Sequence, residues 1–163
     1  MANWAKGTMK IRGTRENIKK FLSESLIPCV SFADNIQEFM TGEKPKKPQV
    51  EIKEDEWEYT MECKNGFSIK GCHRNFIREI EWYFCDADEE ILVIDDYSAA
   101  WGVDVEPLIN LSKTHNIDIK IFVFERGMEF NQEVEIHKGR LIKNNNIEFD
   151  NYKWDCIFPN IGG

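Results

Sequence analysis

Several groups of residues in this sequence have the types needed for chemistry. Cys72-His73 sets a thiol beside an imidazole, the pair that makes a nucleophile in cysteine catalysis. Adjacent residues on a helix diverge by about 100°, however, so the two would face different ways. Cys63, Cys72, His73 and Cys85 could hold zinc, but no Cys-x-x-Cys pair exists and the gaps are irregular. Asp95-Asp96 follows an apolar run, with Asp86-x-Asp88-Glu89-Glu90 just before it, which is carboxylate chemistry suited to Mg²⁺ or Ca²⁺. Neighbours on a strand point to opposite faces, so Asp95 and Asp96 are not expected to share one ion. His115 and His137 stand far from any nucleophile elbow, and Gly71, Gly127 and Gly139 make no phosphate-cradling pattern. The expectation is therefore no catalytic residues, no metal and no cofactor.

The elements that must position these groups follow from periodicity. Thr8–Arg12 alternates and ends at Gly13, which predicts a strand. Thr14 is a hydroxyl N-cap for a helix over 15–26 carrying Ile18, Phe21 and Leu22, stopped by Pro28. Ala33–Met40 reads as a second short helix, and 41–50, with two prolines among lysines, as a flexible loop. Trp57–Cys63 alternates, Asn65-Gly66 signals a two-residue hairpin turn, and Phe67–Lys70 returns. Phe76, Ile77, Ile80, Trp82, Tyr83 and Phe84 suggest a helix over 73–85, which would set Arg74 and Arg78 one turn apart as a common basic edge.

Farther on, Ile91–Ile94 reads as a central strand. Asp104 caps a helix carrying Val105, Leu108, Ile109 and Leu111 that ends near Asn116. Ile117–Phe124 and Glu129–Ile136 are strands, Lys138-Gly139 turns, Arg140–Ile142 returns, and Ile147–Phe149 is a last edge strand. The sum is α+β: helices on one face of a mainly antiparallel sheet, with an inserted hairpin and helix and a C-terminal hairpin.

A chain of 163 residues with 11 Phe and 5 Trp can bury one sizeable core, so 1–163 is read as a single domain. Five scattered cysteines are not a disulfide framework, and Met1–Lys6 shows no apolar leader; the expected compartment is the cytoplasm. The net charge of −8 opposes a general nucleic-acid binder. No Lys or Arg stands between Arg78 and Lys113, a window that holds Glu79, Glu81, Asp86, Asp88, Glu89, Glu90, Asp95, Asp96, Asp104 and Glu106. Such a field attracts a basic protein surface. Asp86, Asp88, Glu89 and Glu90 are expected to be exposed together in one turn and exchangeable for Ser at little cost in stability. With Asp95 and Asp96 they are the expected partner-binding residues.

Two stretches resemble the YubB ferredoxin-like family. Asn3-Trp4, then Met9-Lys10-Ile11-Arg12-Gly13, then Ile18, Phe21 and Leu22 is similar to its opening Asn-Trp-Cys, strand and helix, with Ala5 where the family has cysteine. Ser98-Ala99-Ala100-Trp101-Gly102, Leu108, Leu111-Ser112, Ile119–Phe124, Glu125, Gly127 and Phe130 is similar to its second half, with Val103-Asp104 in place of Pro-Pro. The match covers about 1–26 and 91–143. It implies a ferredoxin-like sheet and a protein borne by phages, plasmids and other mobile elements, of unknown function, with no catalytic residues to carry over. Trp4 and Trp101 are expected in the core or at its rim, and Glu125 to bind backbone N–H groups at the Gly127 turn.

These readings converge on a non-enzymatic accessory factor that binds a host protein with a basic surface. In its anti-defence form the partner is a nuclease, such as a CRISPR effector, whose basic channel the acids would occupy. The alternatives are a metal-dependent nucleotide or phosphodiester enzyme, and a weak nucleic-acid-binding regulator using Lys44, Lys46 and Lys47.

Overall fold

The computed structural model describes residues 3–31, 36, 39–42, 48–85 and 87–163. The elements are β1 (Trp4–Gly13), α1 (Arg15–Ser25), β2 (Leu26–Pro28), β3 (Val50–Glu54), β4 (Glu58–Ile69), β5 (Asn75–Tyr83), β6 (Glu90–Ala100), α2 (Val105–His115), β7 (Asp118–Glu125), β8 (Phe130–His137), β9 (Arg140–Glu148) and the single-turn α3 (Tyr152–Asp155). The architecture is α+β, built on one nine-stranded antiparallel sheet ordered β2-β4-β5-β6-β1-β7-β8-β9, with β3 also on β4. No described helix is long and apolar enough to cross a membrane.

Local signals explain much of this. Thr14 Oγ1 accepts from Asn17 N at 3.3 Å and starts α1, which buries Ile18, Phe21 and Leu22. The helix ends at Ser25, before Pro28, and the chain continues directly as β2. Asn116 closes α2 in the left-handed conformation at φ 51°. In β1, Met9 and Ile11 are buried while Lys10 and Arg12 are exposed. Both helices pack into the core made by Met9, Ile11, Leu92, Ile94, Ile119 and Ile121.

Other expectations are overturned. Asn65-Gly66 does not turn: β4 runs straight through it. The register against β5 jumps from Glu62–Glu79 to Phe67–Ile77, so residues 63–66 bulge opposite Arg78. Gly66 sits at φ 71°, and a Cβ there would lie 2.6 Å from Ile77 O. The positive φ that marks a hairpin turn here serves a bulge. The expected helix over 73–85 is strand β5, whose Ile77, Ile80 and Trp82 are buried while Arg78, Glu79 and Glu81 are exposed. Pairing with β4 overrides a pattern that also fits a helix. Arg74 and Arg78 are thus not one helical turn apart.

The apolar run of β6 is not buried on both sides either, since Ile91 and Val93 are exposed. Arg140–Ile142 and Ile147–Phe149 are not separate strands: β9 covers 140–148 without a break. The helix expected over 33–40 and the loop over 41–50 fall mostly outside the described residues, as do Lys44, Lys46 and Lys47. Val50 already belongs to β3.

Candidate functional site

The acidic turn before β6 does not present four free carboxylates. Asp86 lies outside the described residues, and Asp88 is exposed. Glu89 is exposed but sits 3.4 Å from Lys138 Nζ and 4.0 Å from Arg12 Nε. Glu90 is only 1% exposed. Its carboxylate accepts from Arg15 Nη2 at 2.6 Å and from Cys85 N at 2.7 Å, and Arg15 itself lies 3.9 Å over the Phe84 ring. Glu90 is a buried lock between α1 and Cys85, just beyond the end of β5. It is neither a docking residue nor replaceable at little cost, because its removal strands two donors.

Asp95 and Asp96 are both exposed. The β1–β6 register passes from Gly7–Tyr97 to Met9–Ile94, so the two aspartates face Thr8 together in a bulge. This overturns the expected opposite orientation of strand neighbours. Thr8 Oγ1 donates to Asp95 at 3.4 Å, and Arg78 Nε lies 3.5 Å from Asp96. Asp104 makes no side-chain cap on α2 and instead accepts from His73 N at 2.9 Å. The base-free window is therefore scattered over several surroundings rather than forming one face.

A different acidic feature emerges from the strand register. Glu51 of β3 is opposite Glu62 of β4, and Glu62 is opposite Glu79 of β5. Directly opposed side chains stand about 5 Å apart, so three carboxylates form a row across three strands. All are exposed and none has an ion-pair partner among the described residues. The row borders a shallow hollow lined also by Pro48, Gln49, Lys64 and Asn65. Val50–Glu54 alternates in sequence and could have been read as a strand, but the row needs β5 to be a strand as well.

The thiol–imidazole candidate is disarmed. Burial, helped by the Asp104 charge, pushes the Cys72 thiol up to about 12, so it stays protonated at neutral pH. Among the described residues no three His, Cys, Asp or Glu side chains are grouped to hold a metal ion.

Sequence reading set His115 aside as far from any nucleophile, yet the fold brings a serine to it, and it is 4% exposed. Its Nε2 shares a 2.9 Å hydrogen bond with Ser25 Oγ, while Nδ1 is 4.0 Å from Glu24 and has no hydrogen-bond partner. The order serine–histidine–glutamate is that of a hydrolase triad, yet Ser25 is fully buried. The pair ties the end of α1 to the end of α2. Burial holds the His115 imidazole below its ordinary 6.5, with Lys20 and Lys70 acting in the same sense and Glu24 against it.

One more constellation lies where β1, β5 and β6 end. The Arg74 guanidinium is 5.3 Å from the centre of the Trp4 ring and 5.4 Å from that of Trp101. Arg74 and Trp101 both have positive φ, 57° and 62°, followed by Gly102 at 136°. Ala100 N donates to Arg74 O at 3.0 Å, Trp101 N to Asn3 O at 2.8 Å, and Val103 N to Gln132 Oε1 at 2.8 Å. Trp101 is 56% exposed, at a rim rather than in the core, and Trp4 is half-buried against Phe76. Glu125 accepts from Gly127 N and Met128 N, as the resemblance led us to expect.

Comparison with known proteins finds no matching family model, no matching curated protein and no matching solved structure.

Proposed function

We propose that this chain is a protein-binding accessory factor without catalysis, and that it engages a basic surface through carboxylates on its sheet. The observation that carries this reading is the row Glu51–Glu62–Glu79. Like charges held directly opposite one another cost a few tenths of a kcal/mol each, roughly 1 kcal/mol together at low salt. No lysine or arginine among the described residues forms an ion pair with them, although Lys64 lines the same hollow, and a basic partner would relieve them further. Asp88, Asp95 and Asp96 are exposed and remain further contact candidates, Asp96 already lying 3.5 Å from Arg78; Glu90 takes no part.

The strand order is what supports the ferredoxin-like part of this reading. Taken alone, β5-β6-β1-β7 with α1 after β1 and α2 between β6 and β7 has the order of a ferredoxin-like core, with β2, β3 and β4 inserted after α1. A mobile-element protein of this kind acting on a host defence nuclease is the specific form of the proposal. The test is capture from host extract by immobilised wild-type chain and by the variant Glu51→Gln/Glu62→Gln/Glu79→Gln. A protein retained by the wild type at low salt and lost by the variant is expected. Equal capture by both removes the acidic row from the interface, and no capture at any salt refutes the function.

A second reading, a metal-dependent phosphodiester or nucleotide enzyme, gains one observation: the bulge turns Asp95 and Asp96 to the same side. Calorimetric titration with Mg²⁺ and Mn²⁺ tests it, and absence of heat at millimolar metal removes it.

A further inference from the structure

Beyond that reading, we propose that Arg74 and Trp101 form a nucleotide-binding site, Arg74 taking a phosphate and Trp101 stacking the base. The Trp4 and Trp101 ring centres lie 5.3 and 5.4 Å from the Arg74 guanidinium and attract its charge without occupying the N–H donors along its edge. That edge is a fork suited to two oxygens of a phosphate. In this chain it has no natural partner. Acids outnumber bases by 29 to 21, yet Arg74 has no ion pair and no side-chain hydrogen bond among the described residues. Arg78, four residues on within β5, behaves differently, since it pairs with Asp96.

The second half of the site is the exposed ring of Trp101. It borders an open hollow of about 300 Å³, lined also by His73, Gly102, Gln132 and Asn146. Gln132 is already committed, with Oε1 to Val103 N and Nε2 to Asn144 Oδ1. Asn146 and the His73 ring have no side-chain hydrogen bond among the described residues and can meet the edge of a base. Aromatic stacking on an exposed indole tolerates any base, because every base has a π-face.

The backbone explains why the geometry is maintained. A bulky residue in the left-handed region is strained, and here two of them lie next to each other in space. The bonds Ala100 N to Arg74 O and Trp101 N to Asn3 O hold both in place. Asn3-Trp4 and Ala100-Trp101, the two tryptophan motifs of the sequence, thus converge on one guanidinium.

The test is titration of the full chain with AMP, adenosine and inorganic phosphate, followed by tryptophan fluorescence and calorimetry. Asparagine tolerates positive φ, so Arg74→Asn and Trp101→Asn remove the groups without adding backbone strain. Arg74→Lys keeps the charge and loses the fork. Saturable quenching by AMP is expected, with affinity at least about tenfold above that for phosphate or adenosine alone. Arg74→Asn should lose it, and Arg74→Lys should weaken it about tenfold. A 5′-phosphorylated single-stranded tetranucleotide separates the sources: tighter binding than AMP assigns the end of a strand, equal or weaker binding a free nucleotide. No binding of AMP up to about 5 mM overturns the proposal. So does adenosine or phosphate binding as tightly as AMP, or AMP binding unchanged in a folded Arg74→Asn chain, with folding read by circular dichroism.

Discussion

Replacing Glu90 should be among the most damaging single changes to any charged residue of this chain. Its carboxylate is 1% exposed and accepts from Arg15 Nη2 at 2.6 Å and Cys85 N at 2.7 Å. In Glu90→Ala the Cys85 N–H loses a charged acceptor, a bond contributing about 1.5–3 kcal/mol. Arg15 loses its counter-charge, which in a fully buried pair costs about 3–5 kcal/mol. The Arg15 side chain is 36% exposed, however, so water recovers much of that, leaving roughly 1–1.5 kcal/mol. The total is about 3 kcal/mol. Glu90→Gln keeps one acceptor and should lose about half as much. Urea unfolding followed by tryptophan fluorescence reads the difference. With a slope near 2 kcal/mol per molar, Glu90→Ala should shift the midpoint by about 1.5 M, and exposed Asp88→Asn by less than about 0.25 M. If Glu90→Ala and Asp88→Asn unfold at the same urea concentration, the lock that joins Arg15 of α1 to Cys85 through Glu90 does not exist in solution.

Neutralising the glutamate row in Glu51→Gln/Glu62→Gln/Glu79→Gln should stabilise the chain by about 1 kcal/mol at low salt and by almost nothing near 0.5 M. Equal urea midpoints for the two chains at low salt would mean the three side chains do not face one another. Gly66→Ala meets both a positive φ and the Ile77 carbonyl, so thermal unfolding should show a loss of about 2 kcal/mol or more; an unchanged Tm would show that the bulge rearranges freely. Because the folded protein holds His115 below its ordinary 6.5, the unfolded chain binds the proton first as pH falls. Its contribution to stability is complete above about pH 6.5 and drains away below it. His115→Gln should flatten that part of the urea-midpoint profile, and identical slopes for both chains would refute the assignment.

The elements legible in sequence were those whose cause is local. Thr14 and Asn116 mark helix ends through their own side chain and backbone, and β1, β7 and β8 alternate plainly. Where the cause is tertiary, sequence misled. Ile77, Ile80 and Trp82 fit a helix face as well as one face of a bulged strand, and only the pairing with β4 decides. Asn65-Gly66 supplies positive φ to a turn or a bulge alike. Glu90 looked like its exposed neighbours because its burial depends on Arg15, far away in the chain. The row Glu51–Glu62–Glu79 depends on two registers at once, and the Arg74 stack on a meeting of both tryptophan motifs. Neither can be read from spacing within one segment.

The position of β1 has a consequence for the making of the protein. The first strand of the chain is an interior strand of the sheet: Met9 pairs with Ile94 on one side and Ile121 on the other. In synthesis β1 precedes β6 and β7, so both its edges wait for strands that come much later. Such distant pairings form slowly, on the order of milliseconds to seconds once the chain is complete. Until then two rows of backbone donors and acceptors stand open to any other extended chain. Gly7 shows how tight the finished joint is, since a Cβ there would fall 2.0 Å from Phe122 O. The nascent protein should therefore depend on holding chaperones up to the moment β7 is released.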